Sequence, residues 1–254
     1  MTKVLFLKLT IYAQNDYMHT IYIVTKAMFA FNYDVSEKAE SCGKRGSHNP
    51  TLNSVVYDEM STSDVSKVLR ILERPGEYLQ SKMIVDAGCG AGKVILQTFE
   101  ERKEFDVLIG IELVSGRYNL AVKNLKNLAK YLREKNKYIF VDITFGSEPC
   151  FYCKMSVKYP LTGRTRVVIF YNDDIFNNAI YSMIMKTDVI ILAVKILEIR
   201  SDNLIRLLSK IKCGCRGYFF NKLTIESFDY LNRIHHKYTF NKPWLKNGMF
   251  WERK

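Results

Sequence analysis

Residues 85–92 read Val85-Asp86-Ala87-Gly88-Cys89-Gly90-Ala91-Gly92, and this glycine-rich loop is the strongest structural signal in the chain. Met83-Ile84-Val85 is a short apolar run that predicts a buried strand, and residues 93–102 have the spacing of a helix. Glycine backbones turn sharply and approach a ligand without an intervening Cβ. The stretch therefore predicts a ligand loop at the carboxyl end of a strand, where open α/β sheets bind their ligands.

Two familiar phosphate-binding loops do not fit this stretch. A P-loop requires G-x-x-x-x-G-K-[ST], but Ala87 stands at its first glycine and Val94 at its hydroxyl residue. A dinucleotide loop requires G-x-G-x-x-G, and its last glycine is Lys93 in this chain. The pattern that remains is D-x-G-x-G-x-G.

Strands and helices alternate along the rest of the chain, which predicts a doubly wound, mostly parallel α/β sheet. Residues 139–166 read as an irregular inserted hairpin or loop. Polar residues 36–54 divide an N-terminal segment and linker (1–54) from the main domain (55–254). Further helices are predicted over 65–74, 117–135 and 203–211, and further strands over 107–111, 167–171, 188–193 and 217–221.

The charge of the chain is strongly positive and unevenly placed. The net charge is +12, and residues 83–254 carry 28 basic and 17 acidic side chains. Such an excess favours a polyanionic partner, either nucleic acid, a nucleosome or an acidic protein surface. No apolar run approaches the ~20 residues of a membrane helix, so no membrane span is expected.

One face of the helix predicted over 117–135 is basic. At 100° per residue, four of its basic side chains and the lysine at 137 fall within an arc of about 80°. Either this face is solvated, or it contacts nucleic acid or a nucleosome. The residues are Lys123, Lys126, Lys130, Arg133 and Lys137.

The cysteines leave two readings open. Cys150 and Cys153 form a C-x-x-C pair, and Cys213 and Cys215 form a C-x-C pair. Reduced thiols are the simpler interpretation because zinc sites usually keep their pairs closer together. No metal site is therefore predicted.

The D-x-G-x-G-x-G stretch resembles the first motif of class I S-adenosylmethionine-dependent methyltransferases, which have a Rossmann-like fold. The resemblance implies S-adenosyl-L-methionine as cofactor, held by Gly88, Gly90 and Gly92. At the strand end, Asp86 is suited to the ligand's ammonium group. Glu112, which ends Ile109-Gly110-Ile111-Glu112, is expected to accept the ribose hydroxyls, and Asp174 is favoured for the adenine.

Within that class, residues 50–60, 85–97 and 211–217 resemble Dot1-like histone-lysine methyltransferases. Val56-Tyr57-Asp58-Glu59 is similar to the V-Y-G-E stretch that covers the cofactor in that family, which implies that Tyr57 and Glu59 line it. The resemblance implies methyl transfer to a histone lysine of a nucleosome, in the nucleus. Three departures stand out: Asp58 replaces glycine, Lys93 replaces glutamine, and Leu192-Ala193-Val194-Lys195 stands where the family has V-N-N-F.

The same cofactor pocket admits other functions. The acceptor is then RNA, another protein or a small molecule. For these acceptors the cytoplasm is the alternative location to the nucleus. A third reading is a catalytically silent protein of this fold that binds nucleic acid through its basic half. No catalytic residue is assigned, because methyl transfer to a deprotonated amine mainly requires alignment and a dry pocket.

Overall fold

The computed structural model describes residues 60–73, 82–147, 150–192, 201–219, 228–240, 245 and 248–254. The predictions for the N-terminal segment, Tyr57 and Glu59 lie outside these ranges. The helices are α1 (Thr62–Leu72), α2 (Lys93–Glu101), α3 (Ser115–Lys135), α4 (Asn178–Ile184) and α5 (Ser201–Lys210). The strands are β1 (Lys82–Ala87), β2 (Phe105–Ile111), β3 (Phe140–Gly146), β4 (Phe151–Tyr159), β5 (Arg164–Asn172), β6 (Val189–Leu192), β7 (Arg216–Phe219), β8 (Leu231–Arg233) and β9 (Met249–Arg253).

Within the described residues the strands form one sheet in the order β3-β4-β5-β2-β1-β6-β7-β9-β8. The central pairs β5–β2, β2–β1, β1–β6 and β6–β7 are parallel, and the outer pairs are antiparallel. The chain leaves β1 in one direction towards β2 and β5, and returns to its other side with β6. This reversal is the switch point of a doubly wound sheet. The predicted Rossmann-like α/β class is therefore confirmed.

The stretch 139–166 is more regular than the sequence analysis expected. It forms β3 and β4, and β4 pairs with β5 from Phe151↔Asn172 to Tyr159↔Arg164. Side chains on β4 alternate between buried and partly exposed, with Cys153, Met155 and Val157 fully buried. The predicted hairpin is therefore confirmed, but it is regular and extends the central sheet, so the expected irregularity is wrong.

The helices cover the sheet on both faces. Helix α3 packs the apolar side that the sequence predicts, including Ala121, Leu125 and Leu128, against one core with Phe170. Helices α4 and α5 contribute Ile180 and Leu204 to the second core, on the opposite face. Helix α4 was absent from the sequence analysis because it has only seven residues; the Asn177 side chain accepts from the Ala179 N–H at its start.

The C-terminal strands close the other edge of the sheet. Trp251 on β9 is fully buried, and it lies where a Cβ on Gly217 would fall. His235 and His236 are exposed. None of the helices in the described ranges is long and apolar enough to cross a membrane.

Candidate functional site

The glycine loop between β1 and α2 has three left-handed residues. Gly88, Gly90 and Gly92 have φ values of 86°, 55° and 86°. The loop is fastened to β2, because the N–H groups of Gly88 and Cys89 both donate to the Ile111 carbonyl, at 2.7 and 3.0 Å. Residues with a Cβ rarely adopt such φ values, so the local sequence dictates this turn.

Gly92 has a second structural reason to lack a side chain. A Cβ there would lie 2.5 Å from the Phe170 ring, and one on Gly110 of β2 would lie 2.4 Å from the same ring. Phe170 thus packs directly beneath the loop and the neighbouring strand. The absent Cβ at Gly92 serves this packing, while its contact with a cofactor stays a prediction.

Glu112 lies directly after β2, beside the loop, and is 5% exposed. Its Oε2 accepts the Gly90 N–H and its Oε1 accepts the Val114 N–H, both at 2.9 Å. Burial raises the pKa of Glu112, and these hydrogen bonds act in the opposite direction. A carboxylate has about four lone-pair positions. Both oxygens can therefore accept further hydrogen bonds from a ligand.

Asp86 lies on β1 at the switch point, where its Cα is paired with Gly110 on one side and Ile191 on the other. It is 2% exposed, and its Oδ1 has no hydrogen-bond partner in the described part of the chain. Burial, and then the charge of Glu112, raise the pKa of Asp86 to about 8. A buried acceptor of this kind is costly unless a partner binds it. It suits a cationic group on a ligand.

Asn172, at the end of β5, is a site residue that the sequence analysis missed. Its Nδ2 donates to the Glu112 carbonyl at 2.8 Å and the Leu113 carbonyl at 3.2 Å. Its Oδ1 accepts from the Ser115 hydroxyl at 2.9 Å. One amide thus joins the ends of β5 and β2 to the start of α3. The sequence signal that could have identified it is its position at the end of a predicted strand, directly before two acidic residues.

Those acids shape the turn into α4. The Asp174 carboxylate accepts the Phe176 N–H at 3.0 Å, and the Asp173 carboxylate accepts the Asn177 side chain at 3.0 Å. Burial, followed by a hydrogen bond to Asp173, raises the pKa of the Cys150 thiol to about 12. This thiol is therefore protonated and unreactive near neutral pH. The adenine contact of Asp174 stays a prediction.

The structure thus brings Asp86, Gly88, Gly90 and Glu112 together at the adjacent carboxyl ends of β1 and β2, with Gly92 of the same loop packed against Phe170. Asp174 follows β5, which pairs with β2 on the side away from β1. In the described ranges no cluster of three or more His, Cys, Asp or Glu side chains has the arrangement of a metal site. Of the cysteines in the two motifs, Cys150, Cys153 and Cys215 are buried and Cys213 is exposed, and each carries a thiol rather than a disulfide.

No known protein-family profile and no curated protein matches the chain. Among solved structures, an rRNA methyltransferase of Streptomyces viridochromogenes is 15% identical, with a TM-score of 0.48 over 86% of this chain and 94% of its own. The C-terminal domain of a precorrin-6Y C5,15-methyltransferase of Rhodobacter capsulatus is 12% identical, with a TM-score of 0.42 over 71% and 79%. TrmK of M. capricolum, solved with S-adenosyl-homocysteine, is 10% identical, with a TM-score of 0.36 over 76% and 67%. Similarity at this level is a similarity of fold and carries no argument about activity.

Proposed function

We propose that the chain is an S-adenosyl-L-methionine-dependent methyltransferase whose cofactor binds at the glycine loop. The observation that carries this proposal is Asp86: a buried carboxylate at the switch point, with an oxygen that no described residue satisfies. Glu112 lies beside it, at the end of the next strand, and each of its carboxylate oxygens can accept a further hydrogen bond from a ligand. Two carboxylates at adjacent strand ends suit a ligand that carries both an ammonium group and a ribose.

In this proposal the residues have separate roles. Asp86 receives the ammonium group, Glu112 accepts the ribose hydroxyls, and Asp174 contacts the adenine. When bound, the cofactor supplies a methyl group on a sulfonium sulfur. The sulfur is a good leaving group, because it departs as a neutral thioether when the methyl is transferred in line to a nucleophile. The protein aligns the acceptor and excludes water from the site.

For the acceptor we place RNA ahead of histone lysine. The excess of basic residues in 83–254 suits a polyanionic acceptor. The histone reading draws on the V-Y-D-E stretch at residues 56–59, which lies outside the described residues. It is weakened because Ala193 and Val194 replace the two asparagines of the Dot1-like motif. A nuclear location belongs to that second reading alone.

Transfer of a labelled methyl group separates these readings. The purified chain is incubated with methyl-labelled S-adenosyl-L-methionine and, in parallel, total RNA, nucleosomes or free histones. We expect label in RNA, and none with the double variant Asp86→Asn, Glu112→Gln. A variant of exposed Lys158, Lys158→Gln, is the control, since Lys158 lies at the opposite end of the sheet from the site. Calorimetry that detects no binding of S-adenosyl-L-methionine or S-adenosyl-homocysteine would contradict the proposal.

A further inference from the structure

Large aromatic side chains are exposed along the β3 edge of the sheet. Tyr138 is 79%, Phe140 70%, Phe145 58% and Phe151 66% exposed. A Phe on a sheet usually packs in a core, and a group of exposed aromatic rings in one region often marks a binding surface. Phe140 and Phe145 lie on β3 and Phe151 begins β4. The outer edge of β3 has no partner strand in the described residues.

The basic face of α3 adjoins this edge. Lys123, Lys126, Lys130 and Arg133 are all exposed. The Lys126 ammonium lies 4.9 Å from the centre of the Phe145 ring. Arg133 donates to the Val141 carbonyl of β3 at 2.9 Å through Nη2. The cations of α3 and the rings on its side of the sheet therefore form one surface, the basic–aromatic strip, which comprises Lys123, Lys126, Lys130, Arg133, Phe145 and Phe151. Phe140 pairs with Lys158, out of phase with Phe145, and so faces the other side of the sheet. Helix α3 ends at Lys135, so the prediction that Lys137 continues its basic face is wrong.

The strip begins at the same end of the sheet as the candidate site, with β4 and β5 between β3 and β2. Because β3 and β5 are both antiparallel to β4, the carboxyl end of β3 lies at the same edge as those of β5, β2 and β1. Phe145 is near that end, and α3 starts just after Glu112 and runs away from it. The helix rises about 15 Å between Lys123 and Arg133 at 1.5 Å per residue. The strip thus leads from the site along the outside of the sheet.

The strand register places the rings of Phe145 and Phe151, which lie near the site, on the face of the sheet that α3 covers. Phe145 pairs with Cys153, which is buried against α3, and Phe151 lies two residues before Cys153 on β4. Phe145 and Phe151 therefore emerge on the same face of the sheet as the lysines. Within α3 the basic residues number six and the only acid is Glu134, whose Oε1 is 4.0 Å from the Lys130 ammonium.

We infer that this strip binds single-stranded nucleic acid and guides it to the site. Lysines in a row neutralise successive phosphates, and exposed rings stack on unpaired bases. A duplex offers no free base faces to such rings, and an apolar protein partner would leave the lysines unpaired. That the bound strand is the methyl acceptor rests on the proposed function, whereas the binding itself does not.

The test is a salt titration of binding to a labelled 12-nucleotide single-stranded RNA, with the same sequence as single-stranded DNA and as duplex RNA. The full chain is used without cofactor. Replacing Lys123, Lys126 and Lys130 with Glu should weaken binding, and should flatten the slope of log affinity against log salt by about 2. Phe145→Ala with Phe151→Ala should weaken binding about tenfold or more and leave the slope unchanged.

The matched charge controls lie on the other face of the sheet. Lys186, Arg206 and Lys210 are exposed on or beside α4 and α5, and their replacement with Glu makes the same change in net charge. Tyr238→Ala is the control for loss of an exposed ring. Both controls should bind RNA nearly as the wild type does. Tighter binding to single-stranded RNA than to single-stranded DNA would identify RNA as the ligand of the strip. Equal binding to both would identify single-stranded nucleic acid in general.

Three results would overturn the inference: equal losses in the control variants, tighter binding to duplex than to single strands, or no effect of the two ring substitutions. Binding of S-adenosyl-L-methionine is measured on the same variants and should be unchanged, because Asp86 and Glu112 do not belong to the strip. Loss of RNA binding with intact cofactor binding therefore tests the strip alone. Absence of cofactor binding in the wild type contradicts the proposed function instead.

Discussion

The backbone N–H of Gly90 donates to Oε2 of Glu112 at 2.9 Å, so the carboxylate at the end of β2 holds the glycine loop at the end of β1. The second oxygen of Glu112 accepts the Val114 N–H just before α3 begins. Glu112 thus organises both sides of the site before any ligand binds. A residue with this double role links loop conformation to ligand affinity.

Glu112→Ala should weaken binding of S-adenosyl-L-methionine by about 2–4 kcal/mol, since it removes two charge-assisted hydrogen bonds to ribose and frees the loop. Glu112→Gln should cost less, because one acceptor oxygen remains. Calorimetry measures the affinities. Hydrogen exchange of the Gly90 amide should quicken in Glu112→Ala without any cofactor. Unchanged affinity would remove Glu112 from the site.

Gly92→Ala should lower the free energy of unfolding by about 1–3 kcal/mol, because the new Cβ would meet the Phe170 ring at 2.5 Å. Gly163→Ala is a matched control: its φ of +68° carries the same backbone strain, but nothing lies within 4 Å of its Cβ. Urea unfolding compares the two. Phe170→Leu should recover part of the loss in Gly92→Ala, and equal losses for both alanines would refute the packing argument.

Local signals explain what the sequence could predict. The glycine loop, the α2 pattern and Glu112 all follow from residues within one strand–helix–strand unit, from β1 to the end of β2. The contact of Gly92 and Gly110 with Phe170 joins residues 60 or more positions apart, and no local pattern reports it. The role of Asn172 likewise depends on β5 pairing beside β2. The β4 strand does alternate at period two, but its Lys and Ser residues obscured that signal.

Asn172→Ala should reduce cofactor affinity more than stability, because its amide fixes the Glu112 and Leu113 carbonyls at the mouth of the site. Asn172→Asp is the informative partner variant: it keeps an acceptor for the Ser115 hydroxyl but loses the donor. Both variants should bind S-adenosyl-L-methionine more weakly, by about 1 kcal/mol. If Asn172→Asp binds like the wild type, the donor has no such role.

Asp86→Asn should change how stability depends on pH. Burial raises the pKa of Asp86 to about 8 in the folded chain, from 3.8. Below pH 3.8 both states are protonated and the carboxyl imposes no cost. Between pH 3.8 and about 8 the unfolded state loses its proton first, so the stability of the wild type falls as the pH rises.

The amide does not titrate, so the stability of Asp86→Asn relative to the wild type should increase from pH 4 to about pH 8 and then level off. Thermal unfolding of both proteins at each pH gives this difference. In the wild type, a bound ammonium group would favour ionised Asp86, so ligand binding at pH 7 should release protons. Calorimetry in buffers of different ionisation enthalpy detects that release. A pH-independent difference in stability would mean that Asp86 ionises normally.

Arg166 supports the site indirectly, by binding the carbonyl groups at the end of α2. It lies on β5, is 1% exposed, and donates Nη1 to the Phe99 carbonyl at 2.7 Å, Nη2 to the Arg102 carbonyl at 2.8 Å and Nε to the Phe105 carbonyl at 2.8 Å. Its guanidinium carbon also lies 4.1 Å from the centre of the Phe99 ring. The side chain therefore holds the carbonyl end of α2, whose other end begins at the glycine loop.

Arg166→Met fills a similar volume but leaves these carbonyls without their donors, so we expect the free energy of unfolding to fall by about 3–5 kcal/mol. Arg166→Lys should recover only part, because one ammonium cannot reproduce the three directions of the guanidinium. Arg164→Met, two residues earlier on the same strand, removes a partly exposed ion pair with Asp106 and should cost less than about 1 kcal/mol. Urea unfolding of all three variants provides the comparison. Equal stability of Arg166→Met and Arg164→Met would show that the carbonyl end of α2 does not depend on Arg166.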